Sequence, residues 1–223
     1  NFKSSDVPWK SHRDDIKKVI IEDGVTSIGD CSFIYCNNLE EVNISASVST
    51  IGIRVFWNHS IPSLTAIHVD DANAVYKSID GVLFTKDGKT LMKYPENKME
   101  AEFTIPDTVE TIDSNAFYYV KHLEKVNISE GLKTIGSDAF WGCAKLSEIT
   151  LPESLESIGE TAFFQCISLK KISIPGKITT IESMTFAICS SLKEVVIPAS
   201  VTSIADDAFS TCGALESFDV AEE

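Results

Sequence analysis

The sequence has no long apolar run and few cationic residues. No segment approaches the roughly 18 apolar residues of a membrane span, and neither end has the charged-then-apolar pattern of a leader peptide. We therefore expect no insertion into a bilayer. Lys and Arg number 19 against 33 Asp and Glu, a formal net charge of −14. Because nucleic acids and anionic membrane surfaces are bound through clustered Lys and Arg, neither is expected as a partner.

Proline and glycine are also few, at 7 and 11 of 223 residues, while 43% of the residues are hydrophobic. This composition excludes collagen-like, low-complexity and disordered chains, and it predicts a folded protein with a sizeable core.

Motifs of common catalytic sites are missing as well. The four histidines do not pair with Ser or Cys in a nucleophile motif, and there is no phosphate loop, dinucleotide fingerprint, His-Glu-x-x-His or Gly-x-Ser-x-Gly. Carboxylate pairs are unavoidable among 33 acidic residues, so they do not indicate a glycosidase. We predict a protein that is not an enzyme and that needs no cofactor or metal.

An internal repeat of 23 residues runs through most of the sequence. It is marked by an isoleucine that is followed five residues later by a phenylalanine. These pairs are Ile28 and Phe33, Ile51 and Phe56, Ile112 and Phe117, Ile135 and Phe140, Ile158 and Phe163, Ile181 and Phe186, and Ile204 and Phe209. A fixed period of this length indicates a solenoid, in which each coil contacts only its neighbours.

Each repeat also carries a short apolar alternation that is typical of a β-strand. The nine predicted strands are centred on Val19/Ile21, Val42/Ile44, Ile67/Val69, Phe103/Ile105, Val126/Ile128, Ile149/Leu151, Ile172/Ile174, Val195/Ile197 and Phe218/Val220. A full coil separates consecutive strands, so neighbours have to be parallel. Leu155 and Ile158 are interpreted as part of a turn, and Ala162 to Cys166 as the return leg of the coil.

The repeat has a specific consensus. Residues 146–166 follow Leu-x-x-Ile-x-Leu-Pro-x-Ser-Leu-x-x-Ile-Gly-x-x-Ala-Phe-x-x-Cys, and "LEKVNISEGLKTIGSDAFWGC" and "LKEVVIPASVTSIADDAFSTC" vary it slightly. This pattern resembles the BspA-type leucine-rich repeat, over about residues 16–69 and 101–220. The resemblance implies a leucine-rich repeat solenoid with irregular or short-helical return legs. It also implies a secreted or cell-surface protein that binds other proteins in adhesion.

The repeat is interrupted between Val69 and Phe103. Two Asp-Gly pairs and alternating apolar residues predict a β-hairpin around Lys86-Asp87-Gly88, within an insert at about residues 70–100. We assign residues 1–15 to the remnant of an N-terminal cap and residues 16–223 to the solenoid. The last predicted strand leaves a sheet edge, and self-association through this C-terminal edge is one expectation.

The repeat phenylalanines and a set of cysteines are predicted to form two core columns. The cysteines follow the phenylalanine by three residues: Cys36, Cys143, Cys166, Cys189 and Cys212. We interpret them as buried thiols, with disulfides between coils as the alternative. A straight row of sulfurs does not suit zinc. The commoner leucine-rich repeat has an Asn ladder at the position of Gly131, Ser154, Lys177 and Ser200, and the Cys column is interpreted as its replacement. Cys31 lies outside the column and is expected to be more exposed; the oxidation states of Cys31 and Cys36 stay open.

One outward strand position carries charges of alternating sign. It comprises Lys18, Glu41, Ala66, Glu102, Lys125, Glu148, Lys171, Glu194 and Ser217. Neighbouring parallel strands would bring opposite charges together, so we expect this column to set the register of the sheet rather than to attract a partner.

The position after the repeat phenylalanine is aromatic in several coils. It is occupied by Trp57, Tyr118, Trp141 and Phe164, with Tyr119 beside them. One interpretation is that these rings seal the core. The other is a recognition stripe, which would bind a protein or, with flat exposed rings, a glycan. A structural spacer in a larger surface protein is the remaining alternative.

Overall fold

A computed structural model describes residues 7–56 and 63–220 of the chain. The regular structure in these ranges is almost entirely β; one turn of 3-10 helix, Lys10–His12, is the exception. The chain divides into two compact units, Asn1–Lys98 and Met99–Glu223, and coils of a β-solenoid build both.

The first unit contains eight strands. They are β1 (Lys18–Ile21), β2 (Ser27–Ile28), β3 (Glu41–Ile44), β4 (Thr50–Ile51), β5 (Ala66–Val69), β6 (Tyr76–Ile79), β7 (Val82–Thr85) and β8 (Thr90–Lys93). β1, β3 and β5 form a parallel sheet, and β2 pairs with β4 in a second one. The apolar residues that alternate along β3, Val42 and Ile44, are buried in the hydrophobic core of this unit.

The N-terminal residues of the described chain lie against the first coil. The Trp9 and Phe33 rings are 6.1 Å apart, and Trp9 Nε1 donates a hydrogen bond to the carbonyl of Ser32 at 3.1 Å. Asn38 Nδ2 donates to the carbonyl of Asp14 at 2.6 Å. These contacts place residues 7–15 where a cap would shield the apolar side chains of the first coil.

The predicted hairpin around Lys86-Asp87-Gly88 is confirmed as β7 and β8, and an additional strand, β6, which was not expected, makes the insert a three-stranded antiparallel meander. β6 pairs with β7 and β7 with β8. The first connection, Asp80-Gly81, has positive φ angles of 49° and 78°, as the tight two-residue hairpin turn requires. The second contains Gly88, and there the carboxylate of Asp87 accepts hydrogen bonds from Thr85 and Lys89, which lower its pKa. Each Asp-Gly pair therefore reverses the chain once.

Asn73 fastens the meander to the preceding coil. Its side chain is fully buried, and Nδ2 donates to the carbonyls of Ser45 and Val48 at 2.9 and 2.8 Å. Its Oδ1 accepts from the N–H groups of Val75 and Tyr76 at 2.9 and 2.8 Å. The side-chain amide of Asn73 thus uses both of its N–H donors and its oxygen acceptor. One side chain satisfies four backbone groups where the repeat is interrupted.

The second unit contains eleven strands. They are β9 (Glu102–Thr104), β10 (Thr111–Ile112), β11 (Lys125–Asn127), β12 (Thr134–Ile135), β13 (Glu148–Ile149), β14 (Ser157–Ile158), β15 (Lys171–Ser173), β16 (Thr180–Ile181), β17 (Glu194–Ile197), β18 (Ser203–Ile204) and β19 (Ser217–Val220). The odd-numbered strands form the parallel sheets β9-β11-β13 and β15-β17-β19, and the register advances 23 residues at each step. All nine predicted strands, including the three in the first unit, are confirmed.

A second column of strands was not expected from the sequence. It consists of two-residue segments that end at the repeat isoleucine; in the second unit β10, β12 and β14 pair in parallel, as do β16 and β18. The interpretation of Leu155 and Ile158 as a turn was therefore wrong for Ile158. Two residues are too few to show an alternating pattern, so only the pairing of coils makes these segments recognisable.

The repeat phenylalanines stack through the second unit. Neighbouring rings are nearly parallel, at 4.7 Å for Phe117 and Phe140, 5.1 Å for Phe140 and Phe163, 5.3 Å for Phe163 and Phe186, and 5.4 Å for Phe186 and Phe209. The first four rings are fully buried, and Phe209 is partly buried. In the first unit, Phe33 and Phe56 are buried with a looser, tilted contact at 6.3 Å.

The cysteines form a ladder of thiols that hydrogen-bond to the phenylalanine column. Each Sγ donates to the carbonyl of the phenylalanine one coil earlier: Cys143 to Phe117, Cys166 to Phe140, Cys189 to Phe163 and Cys212 to Phe186, at 3.0 to 3.2 Å. All six cysteines fall within the described ranges and are free thiols, so the disulfide alternative was wrong. Cys36 is fully buried, and Cys31 is partly buried.

Burial keeps the ladder protonated. It raises the pKa of Cys166 well above the ordinary value, and the neighbouring thiols Cys143 and Cys189 raise it further. The pKa values of Cys189, Cys212 and Cys36 are also raised by burial. A thiol that stays protonated is a poor nucleophile and metal ligand, so the column acts as part of the core.

Two serines also form hydrogen bonds between coils, as the asparagines of an Asn ladder would. From the sequence, this role was expected of the cysteines alone. Ser154 Oγ donates to the carbonyl of Leu132 at 2.7 Å and accepts from the N–H of Gly131 at 3.0 Å. Ser200 Oγ donates to the carbonyl of Ile178 at 2.9 Å. These side chains join each loop to the loop of the preceding coil.

Candidate functional site

The charged strand column is engaged in ion pairs within each sheet. Lys18 Nζ lies 2.7 Å from Glu41, Lys125 Nζ 2.7 Å from Glu148, and Lys171 Nζ 2.5 Å from Glu194. The hydrogen bond from Lys18 lowers the pKa of Glu41, and the bond to Glu148 raises the pKa of Lys125. Charges that neutralise one another leave no single-sign field along these strands, so the column offers little electrostatic steering.

Several exposed carboxylates cap the backbone of the following coil. Glu130 accepts hydrogen bonds from the N–H groups of Glu153 and Ser154, both at 3.1 Å. Glu153 in turn accepts from the N–H of Gly176 at 3.2 Å. Part of the acidic excess therefore stabilises the fold, because these carboxylates accept hydrogen bonds from backbone N–H groups in the loop of the following coil.

The aromatic residues after the repeat phenylalanine meet in one surface cluster on the second unit. We call Tyr118, Tyr119, Trp141 and Phe164 the aromatic cluster. Tyr118 and Trp141 have ring centroids 6.0 Å apart, and Trp141 and Phe164 are 4.1 Å apart, tilted by 36° and 32°. Tyr118 and Tyr119 are 4.9 Å apart at 76°, an edge-to-face contact.

Exposure differs sharply within the aromatic cluster. Tyr118 is 2% exposed and is thus out of a partner's reach, which agrees with the interpretation that the rings seal the core and excludes Tyr118 from the recognition stripe. Tyr119, Trp141 and Phe164 are each only partly buried, so part of each residue is accessible to solvent. The indole nitrogen of Trp141 is covered and has no hydrogen-bond partner among the described residues. Trp57 lies outside the described residues.

Local backbone geometry explains why Tyr119 lies at the surface while Tyr118 does not. Tyr119 has a left-handed φ of 54°, which turns consecutive side chains to different sides of the return leg. Its ring lies over Gly142, where a Cβ atom would come within 2.8 Å of the ring carbons. Its hydroxyl is 3.4 Å from Oε1 of Gln165, to which it donates. Glycine at position 142 is the sequence signal that could have indicated this packing.

Left-handed residues recur twice in the return leg, and sequence reasoning missed them. The first position holds Cys31, Arg54, Asn115, Asp138, Thr161, Met184 and Asp207; the second holds Tyr35, Tyr119, Gly142, Gln165, Ile188 and Thr211. β-branched residues rarely adopt this conformation alone. Here the N–H groups of Thr161 and Ile188 donate to carbonyls of the next coil, at 3.0 and 2.7 Å, which offsets the local strain.

Neither a metal-binding cluster nor a membrane-spanning helix is found among the described residues. Across residues 7–56 and 63–220, no three or more His, Cys, Asp and Glu side chains group so that they could hold a metal ion. No helix within that part of the chain is long and apolar enough to cross a membrane.

Coil length, parallel strands and the stacked phenylalanine column together define a leucine-rich repeat solenoid. Residues 11–86 and 94–221 match the BspA type leucine rich repeat region, in six copies. The chain therefore belongs to the BspA-type leucine-rich repeat family. No curated protein sequence matches it.

Three solved structures are similar to the chain. A leucine rich cell surface protein from Faecalibacterium prausnitzii A2-165 is 31% identical with a TM-score of 0.80, over 93% of this chain and 60% of that one. A leucine-rich repeat protein from Eubacterium ventriosum ATCC 27560 is 24% identical with a TM-score of 0.63, over 98% and 82%. The pneumococcal vaccine antigen PcpA is 24% identical with a TM-score of 0.67, over 87% and 60%. The last two show the fold alone, and the chain spans 60% of the length of the first and third.

Proposed function

We propose that the chain is a non-catalytic binding module of a secreted or cell-surface protein, and that it recognises another protein through the aromatic cluster. The observation that carries this proposal is that Tyr119, Trp141 and Phe164 are partly exposed on three consecutive coils, with the Trp141 and Phe164 rings 4.1 Å apart. Aromatic rings bury a large area at a small entropic cost, which makes them frequent anchors of protein interfaces. The cell-surface protein from Faecalibacterium prausnitzii supports the location.

Ring geometry supports a protein partner over a glycan. Sugar faces stack on flat, exposed rings, whereas the rings here are tilted against one another by 32° to 76°. Tyr118 is buried and the indole nitrogen of Trp141 is covered, so neither is available to a sugar hydroxyl. Partly covered rings of this kind suit an apolar side chain inserted by a partner protein.

The test is binding of the purified chain to arrays of extracellular-matrix proteins and of glycans. The variants Tyr119→Ser and Phe164→Ser remove exposed ring surface from the cluster. Ile167→Ser is the matched control, since Ile167 is exposed in the same coil as Phe164 but lies outside the cluster. Circular dichroism checks that each variant is folded.

We expect signals on the protein array that both ring variants lose and the control keeps. Signals confined to the glycan array and lost in the same variants would replace the protein partner with a sugar. Absence of binding on both arrays would contradict recognition by this chain and favour a structural spacer. Binding that all three variants keep would show that the cluster is not the site.

A further inference from the structure

A groove lies where three neighbouring strands of the first unit end. The strands β1, β3 and β5 end side by side, because Ile21, Ile44 and Val69 are register partners. The groove has a volume of about 520 Å³, which is within the size range of ligand-binding clefts. These three residues supply its apolar lining. Its polar lining consists of Glu22, Asp23, Asn43, Ser45, His68 and Asp70.

The repeat departs from its pattern at the border of this groove. In the second unit, the position three residues after the first apolar residue of a strand is a proline in most coils: Pro106, Pro152, Pro175 and Pro198, with Ser129 as the exception. In the first unit the same position holds Glu22, Ser45 and Asp70. A proline ring offers no hydrogen-bonding group, whereas these three side chains do. The first unit is therefore polar at a position where the second unit is mostly apolar.

Hydrogen bonds hold the backbone around the groove in place. The N–H of Asp70 donates to the carbonyl of Ile44 at 2.9 Å, and Oδ1 of Asp70 accepts from the N–H of Ala72 at 2.8 Å. The buried Asn73 donates to the carbonyl of Ser45 at 2.9 Å. The meander is thus tied to the loop that forms one wall of the groove. A wall that is already ordered loses little entropy when a ligand binds.

The charge of the groove favours a cation. At the start of β1, Lys18 is engaged with Glu41 at 2.7 Å. At the end of the same strand, about 13 Å further along, Glu22 and Asp23 are exposed and form no ion pair within residues 7–56 and 63–220. The acidic side chains in that part of the chain do not group closely enough to hold a metal ion. An organic cation with several separate donors suits this spacing better.

We propose that the groove binds an arginine side chain on an exposed segment of a partner protein. A guanidinium group has five N–H donors in one plane, and it pairs well with carboxylates. Glu22 and Asp70 supply carboxylates, and the Asn43 amide and Ser45 hydroxyl supply further acceptors. The aliphatic part of the arginine packs on Ile21, as long cationic side chains do on apolar surface. This site lies on the first unit and does not depend on the aromatic cluster of the second.

Fluorescence anisotropy with rhodamine-labelled peptides tests the proposal. The probes are Gly-Arg-Gly-Arg-Gly and its lysine counterpart, at about 0.15 M salt. We expect the wild-type chain to bind the arginine peptide more tightly than the lysine peptide. Asn43→Trp fills the groove and should weaken binding at least about tenfold. Asn127→Trp is the matched control, since Asn127 occupies the same repeat position in β11 and its replacement should leave binding unchanged.

A pair of double variants separates the groove from the overall acidity of the chain. Glu22→Lys/Asp23→Lys reverses two charges at the groove and should weaken binding at least about tenfold. Glu182→Lys/Asp206→Lys makes the same change in net charge at exposed positions of the second unit. Its effect should stay below about twofold, because salt screens distant charges. Circular dichroism checks that all variants are folded.

Three results would overturn the proposal. The first is a wild-type chain that does not bind the arginine peptide at concentrations up to about 1 mM. The second is equal affinity for the lysine peptide, which would show that charge alone is recognised. The third is an equal loss in the groove variants and their controls, which would show attraction to the whole acidic surface.

Discussion

The strongest test of the core is the removal of one ring from the middle of the phenylalanine column. Phe163 is fully buried, and its ring lies 5.1 Å from Phe140 and 5.3 Å from Phe186, within 5° of parallel to both. A phenylalanine buries roughly 150 Å² or more, which at about 25 cal/mol per Å² corresponds to about 4 kcal/mol. The two flanking rings are held by their own coils and cannot close the cavity. Phe163→Ala should therefore lower the free energy of unfolding by about 4–5 kcal/mol.

Urea unfolding followed by far-UV circular dichroism measures this loss, with linear extrapolation to water. Two variants calibrate it. Phe163→Leu keeps most of the volume and should cost below about 1.5 kcal/mol. Phe209→Ala removes a ring that is only partly buried and should cost about 2 kcal/mol. A loss below about 1 kcal/mol for Phe163→Ala, or equal losses for Phe163→Ala and Phe209→Ala, would refute the stacked column as the main source of stability.

Three further predictions concern the thiols, the insert and a close backbone contact. Burial raises the pKa of Cys166 above 9.0, so the stability that this thiol contributes is complete below pH 9. Above pH 9 the unfolded chain loses the thiol proton first, and the free energy of unfolding falls by about 1.4 kcal/mol per pH unit per thiol. Cys166→Ala should reduce this slope, which urea titrations at several pH values measure. Asn73→Ala leaves buried carbonyl and N–H groups unpaired and should lower the free energy of unfolding by about 3–5 kcal/mol in the same assay. In the control Asn127→Ala, the lost side-chain amide forms hydrogen bonds with exposed groups only, so the cost should be below about 1 kcal/mol. Similar costs for the two variants would contradict the role of Asn73 in fastening the meander. Gly159→Ala would bring a Cβ atom within 2.5 Å of the backbone nitrogen of Ser137 and should lower the free energy of unfolding by about 1–3 kcal/mol. Gly213 has open space around it, so Gly213→Ala should leave the thermal midpoint unchanged. A Gly159→Ala variant as stable as the wild type would disprove the close approach.

The aromatic cluster shows how far sequence reasoning reached at the candidate site. The repeat placed Tyr118, Trp141 and Phe164 in one column, and the rings do meet. Their exposure could not be read from spacing, because the left-handed conformation of Tyr119 decides which of two adjacent tyrosines faces solvent. That conformation depends on a hydrogen bond from the Tyr119 N–H to the carbonyl of Trp141 in the next coil, and on the lack of a side chain at Gly142.

The insert shows a similar division. Two Asp-Gly pairs were sufficient to predict chain reversal, since their backbone preferences are local. The number of strands and the role of Asn73 were not predictable, because the partners of Asn73 include carbonyls 25 and 28 residues away in sequence.

The repeat pattern was sufficient to predict the 23-residue period, the nine parallel strands and the identity of the core columns. In a solenoid each residue packs against the same position of the neighbouring coils, so a pattern along the chain is also a pattern of contacts. Contacts between coils set the two-residue strands, the left-handed positions held by Thr161 and Ile188, and the exposure of each aromatic residue. The left-handed positions oppose the local backbone preference of their residues, and the two-residue strands are too short to show a sequence pattern. Both exist because hydrogen bonds between coils stabilise them.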